Sequence, residues 1–288
     1  MTKALYIFCF ALFFGGLLYH FIPLKVFNFV IPKDAGSQLR SQSILYGSDP
    51  QQSLDVYEPT QRSAVLPILI FVHGGSWKAG NHSNYEFVGR AFASKDYLTL
   101  VISYRGLPNH TYPDFISDVA LATKWASVHG NEYGGDSSKI FIVGHSAGAY
   151  DAAMAVLDKR IFEAAGVDPG VIKGVAGLAG PYDFLPLDSS ATIETFGHVA
   201  DLPSTQPINF SRADAPPFLF LHGTADTTVY PKNSRSLQKH LTDKGAKATL
   251  IEYKDVSHVG IILDIAKPLR GNAPVLDDID KFFKDILR

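Results

Sequence analysis

Gly144-His145-Ser146-Ala147-Gly148 stands between the apolar run Lys139-Ile140-Phe141-Ile142-Val143 and a helix-compatible stretch over residues 149–159. A strand that turns sharply into a helix is the setting in which a G-x-S-x-G run lifts a serine Oγ clear of the backbone and into a cleft. Small residues on either side permit a turn that a Cβ would obstruct. Placement, more than the five-letter pattern, makes Ser146 the candidate nucleophile. Outward from this turn, apolar runs alternate with helix-periodic segments: a strand over Leu66–Val72, a helix over 84–94, a strand over 98–103, a helix over Asp114–His129, then the serine unit. Later helices are predicted over 232–244 and 275–286. Alternation of this kind predicts an α/β fold, a mainly parallel sheet with helices on both faces.

Three other strand ends carry chemistry. His73-Gly74-Gly75-Ser76-Trp77 follows Pro67-Ile68-Leu69-Ile70-Phe71-Val72. Glycines after a buried strand let the backbone turn N–H groups toward a developing oxyanion, so the amides of Gly74 and Gly75, with that of Ala147 from the serine turn, are the candidate oxyanion hole. His222-Gly223-Thr224-Ala225-Asp226 follows Pro217-Phe218-Leu219-Phe220-Leu221 and offers Asp226 as the acid. Ser257-His258-Val259-Gly260 comes after the strand-like Ala248-Thr249-Leu250-Ile251-Glu252-Tyr253 and offers His258 as the base. A hydroxyl is a poor nucleophile at neutral pH; it needs a neutral imidazole to take its proton and a carboxylate to fix the tautomer. Ligands of open α/β sheets bind at the carboxyl ends of the strands, where residues distant in sequence converge. Activity is expected to fall in acid as His258 takes up a proton.

The order Ser146, Asp226, His258 and the motifs around it resemble the α/β-hydrolase superfamily. The His73 to Trp77 loop is similar to the H-G-G-x-W loop of esterases close to hormone-sensitive lipase, of feruloyl-esterase-like proteins and of kynurenine formamidases. The likeness runs from about Leu54 to the end of the chain and includes Leu54-Asp55-Val56-Tyr57-Glu58-Pro59, Tyr112-Pro113-Asp114 and Gly180-Pro181-Tyr182-Asp183-Phe184. It implies the α/β-hydrolase fold, a Ser146, His258 and Asp226 triad, and Gly74 and Gly75 as the oxyanion loop. This loop reads Gly-Gly-Ser where lipase-like members often have three glycines, which leaves open which two amides point inward. The function implied is a serine hydrolase that cleaves carboxylic esters, a carboxylesterase-like enzyme. An amidase or formamidase with the same triad, a peptidase of the prolyl-oligopeptidase type, and a non-catalytic membrane-tethered binding module are the other readings.

The chain has 288 residues, of which 46% are hydrophobic and 19% charged, enough for one large core and too apolar for disorder. Its net charge of -2, without basic runs, argues against nucleic acid as a partner. The 10 histidines show no metal-ligand spacing, so no metal or cofactor is expected, and a small-molecule ester is the expected partner. A single cysteine, Cys9, excludes a disulfide within the chain. Residues 4–24 lack Asp, Glu, Lys and Arg, and this length of helix rises about 31 Å, near the thickness of a bilayer core. Residues 1–31 therefore read as a membrane anchor by a transmembrane helix, with a cleaved signal peptide as the rival. Lys3 and the amino group oppose Lys25, Lys33 and Arg40 across the span, so charge barely chooses the orientation, and it is the resemblance to amino-terminally anchored esterases that implies an exported catalytic domain, periplasmic in a bacterium. Residues 32–42 are expected as a polar linker, 43–288 as the catalytic domain, and 181–216 as a short lid or a long surface loop. Trp77 is expected as a substrate wall, with a core position as the alternative, and His73, His145 and His222 as supports for their turns.

Overall fold

A computed structural model describes residues 24–62 and 64–288. The strands are β1 (Ser37–Leu45), β2 (Ser53–Pro59), β3 (Leu66–Val72), β4 (Leu98–Ile102), β5 (Gly135–His145), β6 (Ile172–Leu178), β7 (Phe218–Gly223) and β8 (Ala248–Tyr253). They form one sheet in the order β1-β2-β4-β3-β5-β6-β7-β8. From β4 to β8 every pairing is parallel, whereas β2 joins β4, and β1 joins β2, antiparallel. The helices that position the site are α1 (Leu24–Val30), α2 (Glu86–Ala93), α3 (Asp114–His129), α4 (Ala147–Leu157), α5 (Lys159–Ala165), α6 (Ser190–Phe196), α7 (Lys232–Asp243), α8 (Gly260–Leu263) and α9 (Val275–Leu287). The mainly parallel sheet flanked by helices that the sequence predicts is present.

The central strands are apolar at nearly every position because both their faces are covered. In β3, Ile68, Ile70 and Val72 point into a core shared with Phe115 and Ile116 of α3 and Tyr150 and Met154 of α4. Leu69 and Phe71, offset by one residue, point the other way, toward Phe87 and Phe92 of α2 and Ile279 and Phe283 of α9. Phe141 of β5 stacks on Phe283 with ring centroids 4.3 Å apart. The parallel register, with Ile70 opposite both Leu100 and Ile142, brings the carboxyl ends of β3, β4 and β5 level with one another.

Two segments differ from the sequence expectation. Residues 32–42 are not a linker: from Ser37 they enter β1, which is mostly exposed and is held by its ladder to β2. Asp34, just before it, takes a two-pronged ion pair from Arg270 at 2.7 and 2.9 Å. A polar edge strand owes its order to backbone hydrogen bonds instead of burial, so hydropathy does not reveal it. The domain thus begins before Ser43, since Phe27 of α1 already packs edge to face on Phe87. Residues 181–216 are folded, with a capping box at Ser189 and Thr192 opening α6 and Phe196 wholly buried against Trp77, Phe115 and Tyr150. The expected transmembrane helix over residues 4–24 lies outside the described residues except for Leu24; among the described residues no helix is long and apolar enough to cross a membrane.

Candidate active site

Ser146 occupies the turn between β5 and α4 with φ 55° and ψ -121°, a conformation that costs a non-glycine residue about 1–3 kcal/mol. Close packing enforces it. A Cβ on Gly144 would stand 2.3 Å from the Gly148 carbonyl oxygen, and one on Gly148 would stand 2.3 Å from that of Val72. The Ser146 N–H donates to the Leu178 carbonyl at 2.8 Å, pinning the turn to β6, while the Ser146 carbonyl starts α4 by accepting from Ala149 and Tyr150. The hydroxyl is left at the strand-carboxyl end of the sheet.

His258 follows β8 and Asp226 follows β7, and their loops are tied by a hydrogen bond from the Ala225 N–H to the Val256 carbonyl at 3.1 Å. His258 Nε2 lies 2.8 Å from Ser146 Oγ, and His258 Nδ1 lies 2.7 Å from Asp226 Oδ2. The three residues, up to 112 apart in sequence, thus form one hydrogen-bonded chain. Asp226 Oδ1 accepts the amides of Thr228 and Val229, both at 2.9 Å. Burial would raise the Asp226 pKa, but hydrogen bonds from His222 and His258 outweigh it and hold the carboxyl well below the usual range. Asp226 is therefore ionised at neutral pH, as an acceptor for an imidazole N–H must be.

The three other histidines named from sequence all make hydrogen bonds within or between turns. His222, fully buried, donates from Nε2 to the Val229 carbonyl at 2.8 Å with Asp226 Oδ2 at 3.2 Å, and accepts the Ser234 hydroxyl at Nδ1. His145 donates from Nε2 to the carbonyl of His258 itself, at 3.0 Å. Burial, together with the neighbouring His258, pushes the His145 pKa down to about 3, so this ring stays neutral. His73 donates from Nδ1 to the Gly74 carbonyl and lies between the rings of Tyr85 and Tyr104; burial lowers its pKa to about 4.

Gly74 and Gly75 lie beside the serine turn, and a Cβ on Gly74 would come within 2.9 Å of Ser146 Cβ. Gly75 adopts φ 137°, and its carbonyl is turned into the following bend, accepting the amides of Lys78 and Ala79. Burial raises the Tyr85 hydroxyl pKa, offset in part by a hydrogen bond from the Gly74 backbone. Ala147 opens α4, where the first amides have no partner inside the helix.

Trp77, expected as a substrate wall, is placed in the core instead: it is 4% exposed, meets Phe196 edge to face at 4.9 Å, and donates from Nε1 to Asp151 Oδ1 at 2.9 Å. Its aromatic neighbours across α3, α4 and α6 leave the indole more apolar surface to cover inside than out. Sequence reasoning missed Asp151, a lone carboxyl in the otherwise apolar α4. An acid inside Ala149-Tyr150-Asp151-Ala152 is the signal that was available.

The chain has relatives among known proteins. The family model BD-FAE matches residues 54–241. The isoprenylcysteine alpha-carbonyl methylesterase of Arabidopsis thaliana is 28% identical over all of this chain and 68% of its own length. A probable methylesterase of the same name and plant is 29% identical over 85% of this chain and 55% of its own. Esterase LipC of Mycobacterium tuberculosis is 30% identical over 85% of this chain and 65% of its own. The chain therefore spans about half to two-thirds of these relatives. Among solved structures, esterase B of Lactobacillus rhamnosis superposes with TM-score 0.80 at 21% identity, covering 91% of this chain and 90% of that one. A carbohydrate esterase from gut microbiota superposes with TM-score 0.79 at 22% identity, covering 89% of this chain and 99% of that one. Both likenesses show that the architecture is the α/β-hydrolase fold.

Proposed function

The chain belongs to the BD-FAE family, and from that footing we propose that it is a serine hydrolase that cleaves carboxylic esters. The observation that carries the proposal is the unbroken relay from Ser146 Oγ through His258 to the ionised Asp226. Esterase relatives from a plant and a mycobacterium support the choice of ester over amide.

In the proposed reaction Ser146 Oγ attacks the ester carbonyl while its proton passes to His258 Nε2, and Asp226 stabilises the imidazolium that results. The amides of Gly74 and Gly75, with that of Ala147, receive the oxyanion beside the nucleophile. Collapse of the tetrahedral intermediate breaks the bond to the alcohol, which leaves with the proton from His258. Water then enters, gives its proton to the same nitrogen, and releases the carboxylic acid from Ser146.

Hydrolysis of p-nitrophenyl butyrate tests the reading. Ser146→Ala and His258→Ala are each expected to lower kcat by about 10⁴-fold or more, since residues that act as a unit lose nearly everything singly. A Ser146→Ala protein with near-native turnover would overturn the assignment.

A further inference from the structure

Helix α1 buries one side and leaves the other bare. Phe27 and Asn28 face inward, whereas Val26, Phe29 and Val30 are 47%, 87% and 61% exposed. Spacings of three and four residues put these side chains on one helix face. The helix is fixed to the body: the Asn28 amide group donates to the Ser83 carbonyl at 2.9 Å, and its Oδ1 accepts the Phe87 N–H at 3.1 Å. Those contacts place α1 at the amino end of α2, which is the end of the sheet where parallel strands finish and where Ser146 stands. The end carries more bare apolar surface, with Val259 directly after His258 46% exposed and Tyr230 in the loop beyond Asp226 58% exposed. Arg270, which follows α8, is clamped to Asp34 just after α1, so the His258 side of the site and the bare helix belong to one rigid body.

What covers the α1 face is indicated by the chain that leads into it. Residues 4–24 carry no Asp, Glu, Lys or Arg, and this stretch directly precedes α1 in sequence. Only residues 31–36 separate α1 from β1, and Asp34 among them is held by Arg270, so there is no length of free chain to lift the domain away.

We propose that α1 is an interfacial helix whose Val26, Phe29 and Val30 enter the headgroup layer of a lipid bilayer. This holds the strand-carboxyl end of the domain, with Ser146, against that bilayer, and the site takes its ester from an amphiphile partitioned there. The surface itself does not depend on the chemistry of the site; the substrate class rests on the ester-hydrolase reading above.

The full chain is placed in phosphatidylcholine and phosphatidylglycerol vesicles, with brominated phosphatidylcholine as quencher. A tryptophan introduced by Phe29→Trp is expected to lose at least half of its added emission to the brominated lipid. Added emission that is not quenched means that residues 1–23 or a second copy cover the face, and overturns the proposal. For the substrate class, hydrolysis of vesicle-borne p-nitrophenyl palmitate is compared with that of soluble p-nitrophenyl acetate. Phe29→Asp with Val30→Asp, or Phe29→Ser if the acidic pair does not fold, is expected to lower the palmitate to acetate ratio at least fivefold with acetate turnover unchanged. An unchanged ratio overturns the substrate class. A native chain that cleaves neither ester defeats the ester-hydrolase reading instead, and the quenching result still decides the surface.

Discussion

At the scale of single residues, two buried carboxyls have opposite consequences for pH. The Asp226 pKa is depressed, with burial outweighed by the bonds from His222 and His258, so its contribution to stability is present above the unfolded value of about 4 and lost as pH falls through the folded one. Asp226→Asn should therefore differ from the native chain in melting temperature at pH 7 and converge with it in acid. Asp151 is raised well above its ordinary value, chiefly by burial, with the Trp77 N–H a smaller opposing influence. Its protonated form is favoured by folding, a contribution complete below about pH 4 and lost as pH rises toward the folded value. Asp151→Asn, which can still accept from Trp77, should gain on the native chain as pH climbs above 4; melting curves at pH 4 and pH 8 check this sign, and curves carried from pH 7 to well below pH 4 check that of Asp226. Ser146, Asp226 and His258 are readable in the sequence because each follows a strand-like apolar run, and the parallel sheet brings those strand ends to one level. His222 on Asp226 and Asp151 on Trp77 are not, because no periodicity encodes which side chain a neighbouring loop turns toward.

At the scale of elements, legibility follows the mode of stabilisation. Strand β3, helix α3 and helix α9 are predicted closely because burial marks their residues, as an unbroken apolar run in β3 and as recurring apolar positions in the two helices. Strand β1 carries no such imprint, since its order comes from the ladder to β2, and a run of Ser, Gln and Arg reads as linker. The segment 181–216 is intermediate: its Pro and Ser content suggests loop, while Phe196 fastens it to the aromatic cluster of Trp77, Phe115 and Tyr150. Helix α9 offers a clean test of burial, because Phe283 is fully buried and stacks on Phe141, far from the strand ends that hold the site. Phe283→Ala is expected to cost about 3–5 kcal/mol in denaturant unfolding. Protein that remains folded should keep its kcat.

At the scale of the whole molecule, one sheet delivers three loops to one place, and the amino-terminal strand closes that sheet instead of hanging from it. A chain shortened to begin at Ser43, the domain start that hydropathy suggests, loses most of β1, the Asp34 to Arg270 pair and the burial of Phe27. Burying Phe27 alone contributes about 2 kcal/mol. With the ladder added, the midpoint of thermal unfolding should fall by about 10 °C, the size of shift that ~3 kcal/mol gives in a domain of this class. A chain beginning at Leu24 should lose little. All of this architecture converges on the claim that Ser146 is an activated nucleophile, and reaction with a fluorophosphonate, located by mass spectrometry, tests it without knowledge of the natural ester. One covalent adduct per chain is expected on Ser146, none on Ser146→Ala, and labelling slowed by about a thousandfold in His258→Ala. Folded native protein that carries no adduct at Ser146, or labels equally well without His258, would contradict that claim.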